Sequence, residues 1–96
     1  MPSCRSSGVL TTSSVISSER CKLISIHAMN TGAGAETTIK LFDNTAASGK
    51  ELVRIIVAPQ NTAVEFDMHG VIASIGLYLE ISTGGGTGAA VSVEFN

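Results

Sequence analysis

The sequence predicts an all-β fold: a small antiparallel β-sandwich, of jelly-roll or immunoglobulin-like type, with six to eight strands. Three observations carry that expectation. The stretch Thr62 to Thr83 holds two runs in which apolar and polar residues alternate with period two, as a sheet with one buried and one wet face requires. Glycine-, asparagine- and proline-marked turns recur about every 8–14 residues along the chain, the spacing of sandwiches and barrels. No segment shows helical periodicity or a capping box.

Residues 1–20 are expected to form a flexible N-terminal arm with an edge strand, and residues 21–96 the sandwich domain. Within the arm, Val9 to Ser18 is rich in β-branched residues and suits an edge strand, or an extension lying on a neighbour. Cys21 to Asn30 is a firmer strand. Strict alternation puts Ile24, Ile26 and Ala28 on one face and Leu23, Ser25, His27 and Met29 on the other, so Leu23 and Met29 give the second face an apolar character that asks for contact. A small, glycine-rich loop, Thr31 to Ala35, leads to the strand Thr37–Asp43, with Ile39 and Leu41 inward and Lys40 and Phe42 outward or at the sandwich edge.

Asn44 to Gly49 turns the chain, with Gly49 supplying the left-handed position. Lys50 to Val57 follows, and its Ile55-Ile56-Val57 end suggests cover on both faces. Pro59 then breaks the ladder. In the next strand Val64, Phe66 and Met68 point one way and Glu65 and Asp67 the other. Gly70 and Gly76 bracket the expected turn. Leu77, Leu79 and Ile81 share the buried face of the following strand. After the glycine-rich stretch Thr83 to Gly88, Val91, Val93 and Phe95 face inward in the last one.

Composition excludes several functions. The chain is 44% hydrophobic and only 15% charged, with net charge −2, against about 25% charged residues in an ordinary soluble domain. Apolar area with so little charge marks a surface that another protein covers. Six basic residues are scattered singly, which gives no phosphate-neutralising patch and no expectation of nucleic-acid binding. Apolar runs reach only four or five residues, too short to span a membrane, and no signal-peptide core follows the polar opening residues. Cys4 and Cys21 are expected as two free thiols of a protein made in a reducing cytosol.

Chemistry-bearing residues do not assemble into a site by spacing. Asp67 and His69 are half of a metal site at most, with His27, Glu65 or a cysteine needed to complete it; a solvated turn histidine is the simpler reading. No GxSxG element occurs, and no base stands beside a nucleophile. The run Gly84 to Gly88 lacks the Lys-Ser/Thr and the helix of a phosphate loop. Asp43-Asn44-Thr45 has no calcium-loop spacing. Neither enzyme activity, nor a cofactor, nor a metal is expected.

The running order of turn and core marks resembles the small β-sandwich virion proteins of tailed bacteriophages. The marks are Asn30-Thr31-Gly32, Leu41-Phe42-Asp43-Asn44-Thr45, Ser48-Gly49, Glu65-Phe66-Asp67, Gly70-Val71, Gly76-Leu77-Tyr78 and Thr83-Gly84. The resemblance covers about residues 22–95 and departs from the pattern in the Ser-rich arm with Cys4 and in His69. It implies a structural protein that decorates or cements a capsid, bound to the major capsid protein and to copies of itself as a homotrimer. It further implies a place on the virion surface after synthesis in the host cytoplasm; some similar modules sit in tails, necks or fibres. No catalytic residue carries over. The residues expected at the interface are Val9, Leu10, Val15, Ile16, Leu23 and Met29. A glycan-binding module is the alternative from another class, with Tyr78 as the aromatic to stack on a sugar ring.

Overall fold

The computed structural model describes residues 4–32, 35–59, 61–83 and 88–96. Eight strands follow in order: β1 (Arg5–Ser6), β2 (Ser14–Ser17), β3 (Cys21–Asn30), β4 (Thr37–Asp43), β5 (Lys50–Val57), β6 (Thr62–Ala73), β7 (Leu77–Ser82) and β8 (Ala89–Phe95). The described residues contain no helix long and apolar enough to cross a membrane.

All strands pair antiparallel, in two four-stranded sheets ordered β1-β8-β3-β6 and β2-β7-β4-β5. Strand pairs β1–β8, β2–β7, β3–β6 and β4–β5 are the rungs of one long hairpin. Contacts β8–β3 and β7–β4 roll that hairpin into two layers. This is the jelly roll, and it separates the fold from the immunoglobulin-like alternative.

Between the sheets lies one apolar layer. Leu23, Ile26, Val91 and Val93 from the first sheet meet Ile39, Leu41, Val57, Leu77 and Leu79 from the second, all fully buried. Each side chain of this size contributes about 1.5–3 kcal/mol by leaving water. Alternation in β4, β7 and β8 falls as the sequence indicates, with Val91, Val93 and Phe95 inward. Phe42, expected outward or at an edge, is buried opposite Tyr78. Ile55 and Val57 are buried but Ile56 is 58% exposed, so the outer face of β5 is uncovered there.

Two strands within the expected arm, β1 and β2, pair into the two sheets. Strand β1 pairs with the end of β8, and Arg5 lies over the Phe95 ring at 4.6 Å. Leu10 exchanges both backbone bonds with Val91, at 2.7 and 2.8 Å. Strand β2 is the edge of the opposite sheet, where Ile16 packs on the core. Both β1 and β2 are edge strands, one in each sheet. Residues 1–3 of the expected arm lie outside the described residues, as do 33–34 and 84–87 of the two glycine-rich loops.

Two bulges change the reading of faces. Against β8, Leu23 pairs with Phe95 and Ser25 with Glu94, leaving Ile24 as an extra residue. A bulge of this kind reverses strand parity, so Leu23 and Ile26 both point inward although an odd number of positions separates them. On β6, Met68, His69 and Gly70 fill the interval between Asp67 and Val71 opposite that same Ile24. His69 (φ 55°) and Gly70 (φ 80°) are left-handed there. Gly70 therefore belongs to a bulge within a continuous strand, and the turn is confined to Ser74–Gly76.

Candidate interaction surface

The outer face of the first sheet carries a polar cluster of three strands' side chains. Register places three cross-strand rows along it: Ala90–Met29–Ala63, then Ser92–His27–Glu65, then Glu94–Ser25–Asp67. Side chains opposite one another in antiparallel strands lie within reach of contact, and here they meet. The His27 Nδ1 stands 3.2 Å from Glu65 Oε2 on β6, and its Nε2 3.4 Å from Glu94 Oε1 on β8. The Ser25 hydroxyl donates to the same Glu94 oxygen. That hydroxyl bond, followed by the His27 contact, holds the Glu94 carboxyl below its ordinary range.

The Ser25 hydroxyl in this cluster donates to a carboxylate rather than to an imidazole. Cys21 and His27 are six residues apart, yet the bulge sends them to opposite faces. Cys21 is buried, and burial raises its thiol pKa above 9.0. Cys4 is exposed, and both thiols are free. At the bulge, the Asp67 carboxylate accepts the His69 backbone N–H at 2.9 Å, with the His69 ring solvated. No three His, Cys, Asp or Glu side chains among the described residues converge as metal ligands do.

Two adjoining hollows mark this face. One, of about 400 Å³, runs between Val9, Met29, Ala63 and Ala90 and reaches His27 and Glu65. The other, of about 440 Å³, is bounded by Ile24, Ser25, Phe66, Asp67, Glu94 and again Glu65. Phe66 lies opposite the inward Ile26, on the other face from Glu65 and Asp67, and is 45% exposed because β6 is the edge strand of its sheet.

The six residues expected at an interface divide. Val9, Val15 and Met29 are exposed. Val9 and Met29 come together in the first hollow, whereas Val15 lies on β2 of the other sheet. Leu23 is fully buried, a correction that follows from the Ile24 bulge. Leu10 and Ile16 are half-buried against the core and have little surface left to offer. Sequence reasoning did not bring Glu65, His27 and Glu94 together. Each occupies an outward position of an alternating strand, and only the register joins them.

Fold and face together define a jelly-roll module with an apolar and acidic patch on one sheet. No family model matches the chain, and no curated protein or solved structure matches it either.

Proposed function

We propose that this protein is a structural component of a tailed-phage virion that decorates or cements the capsid, binding coat subunits as a homotrimer. The observation that carries the reading is the hollow where Val9 and Met29 lie uncovered on the outer face of the first sheet. Large apolar side chains meeting on the surface of a chain with 15% charged residues mark a site of contact. Jelly rolls recur in viral capsid proteins and in lectins, so the fold suits the role without assigning it. The mechanism is mechanical. A standard interface buries about 1,600 Å², and repeating it around a symmetry axis ties neighbouring coat subunits against internal pressure.

The test is to add purified protein to particles that lack it and to count the copies retained. Hundreds of copies per particle, with a trimer in solution, are expected. A handful would place the protein in the tail or neck instead. A free monomer that never associates with particles would end the proposal.

A further inference from the structure

Resting on the self-association in that reading, we infer that copies of this chain join edge to edge, β5 of one copy pairing antiparallel with β6 of the next. The pairing sets Arg54 against Glu65 and Ile56 against Ala63. Of the four edge strands, β1 and β2 are two and four residues long, whereas β5 and β6 run for eight and twelve. A long unpaired edge offers its backbone donors and acceptors to another chain. Strands β5 and β6 end their sheets on the same side of the sandwich. There the inward Phe66 stays 45% exposed, and Ile56 on the outer face of β5 is 58% exposed.

Three independent constraints select this register. The first is backbone direction, since alternate residues of an antiparallel strand turn their N–H and C=O to opposite neighbours. Thr31 donates to Gly88 toward β8, so Asn30, Ala28 and Ile26 bond to β6 through Thr62, Val64 and Phe66. Ala63 and Glu65 therefore direct their backbone groups to the open edge. On the other sheet the Ile81 N–H is taken by Ser13 on the β2 side. Glu80 and Ser82 then bond to Lys40 and Thr38, and Ile39 and Thr37 bond to Ile55 and Val57. Arg54 and Ile56 are left facing the open edge. The second constraint is level. Asn30 is the ladder partner of Thr62 and its Nδ2 reaches Val57 O at 3.3 Å, so Val57 and Thr62 lie at one height. Rotation about an axis parallel to the strands preserves height and brings Val57 of one copy beside Thr62 of the next. Each copy then gives β5 to one neighbour and β6 to the other, a heterologous contact that closes into a ring.

The third constraint is side-chain match. With Val57 opposite Thr62, the inward pairs are Ile55 with Val64 and Val53 with Phe66, all apolar. The outward pairs are Ile56 with Ala63 and the cation Arg54 with the anion Glu65, a favourable cross-strand pair. A shift of one residue would set inward against outward side chains. A shift of two, with Arg54 opposite Asp67, would set Ile56 against Glu65. The seam ends where it should: Leu52 is an extra residue on β5, and the next row would oppose Glu51 to Asp67.

Cross-linking and hydrogen exchange test the inference. Facing residues of such a pair have Cα atoms about 5.5 Å apart, within reach of a disulfide. On mild oxidation Cys4→Ser/Ile56→Cys/Ala63→Cys should link copies covalently, and the out-of-register Cys4→Ser/Ile56→Cys/Glu65→Cys far less. In the wild type the amides of Arg54, Ile56, Ala63 and Glu65 should be protected from exchange when assembled and lose protection on dilution. Arg54→Glu should weaken association about tenfold or more, and Arg54→Glu/Glu65→Arg should recover most of it. An oligomer whose four amides exchange freely, or which fails to link at 56 and 63, would overturn the inference. So would a monomer at every concentration. Particle binding separates the two levels. An oligomer held by another surface that still binds particles would refute the seam and leave the capsid reading standing. A linked oligomer that never binds particles would uphold the seam and refute that reading. A linked dimer would uphold the seam and remove the three-fold from the reading.

Discussion

Asn30 at the end of β3 donates through Nδ2 to the Val57 carbonyl at the end of β5, 3.3 Å away, and so ties one sheet to the other. The same amide donates to Ala35 O at 3.0 Å, and its Oδ1 accepts the Gly32 N–H at 3.0 Å. Asn30 is 1% exposed, so its removal leaves buried backbone groups without partners. Asn30→Ala should destabilise the fold by about 2–3 kcal/mol. Denaturant titration checks this; a loss below about 0.5 kcal/mol would mean that water replaces the amide.

Gly76 marks the turn between β6 and β7 for a reason of space. A Cβ there would stand 2.8 Å from the Ser17 carbonyl oxygen and 3.2 Å from that of Asn44. Neither backbone atom yields easily, so Gly76→Ala should cost about 1–3 kcal/mol. Gly70→Ala meets only the far part of Lys22 at 3.9 Å, and its penalty comes from the positive φ instead; it should be about 1 kcal/mol. Thermal unfolding of the two variants should rank Gly76→Ala the less stable.

Asp43 holds the same turn through charge. Its Oδ1 accepts the Ile75 N–H at 2.8 Å. That bond, with help from the Ser74 and Gly76 amides, lowers the carboxyl pKa below its ordinary 3.8. A depressed folded-state pKa adds stability that is present above the unfolded value and lost as pH falls through the folded one. Glu94 acts in the same direction from its ordinary 4.5. Stability should therefore fall on acidification below about pH 4.5. The gap between wild type and Asp43→Asn should narrow over that interval, read by denaturation at stepped pH. A gap constant from pH 6 to pH 2.5 would contradict the role.

Leu23 and Met29 lie on one strand with opposite fates. Leu23→Ala should cost about 2–5 kcal/mol of stability, the usual range for a buried leucine. Met29→Ala should leave the denaturation midpoint nearly unchanged and weaken attachment to particles. Reversal of that pattern would mean the face assignment along β3 is wrong.

The two thiols differ by burial. Cys4, being exposed, should react promptly with a thiol reagent, and Cys21 only as the fold opens. The raised folded pKa of Cys21 adds stability present below pH 9.0 and lost as pH rises through the folded value. Prompt modification of both cysteines in the native protein would contradict the packing at the start of β3.

Strand extents were legible wherever local pattern sufficed. Cys21–Asn30, Thr37–Asp43, Lys50–Val57, Leu77–Ser82 and Ala89–Phe95 follow from alternation and turn residues. Gly49 takes the left-handed conformation expected of it, at φ 87°. What stayed hidden depends on pairing. The Ile24 bulge leaves no mark in composition, yet it turns Leu23 inward. Gly70 gives the same local signal in a bulge as in a turn. Strand β1 is two residues long and exists through its pairing with β8, 88 to 90 positions along the chain. The Glu65–His27–Glu94 cluster joins side chains of three strands in register, so no single stretch announces it.

The account stands on the outer face of the first sheet being covered in the assembled particle. For the proposed capsid role, cryo-electron microscopy of particles with this protein bound tests it directly. The account predicts density of the jelly roll at capsid symmetry axes, with Met29 and Glu65 facing a coat segment. Density that leaves this face in solvent while the protein sits on the shell by another surface would contradict it.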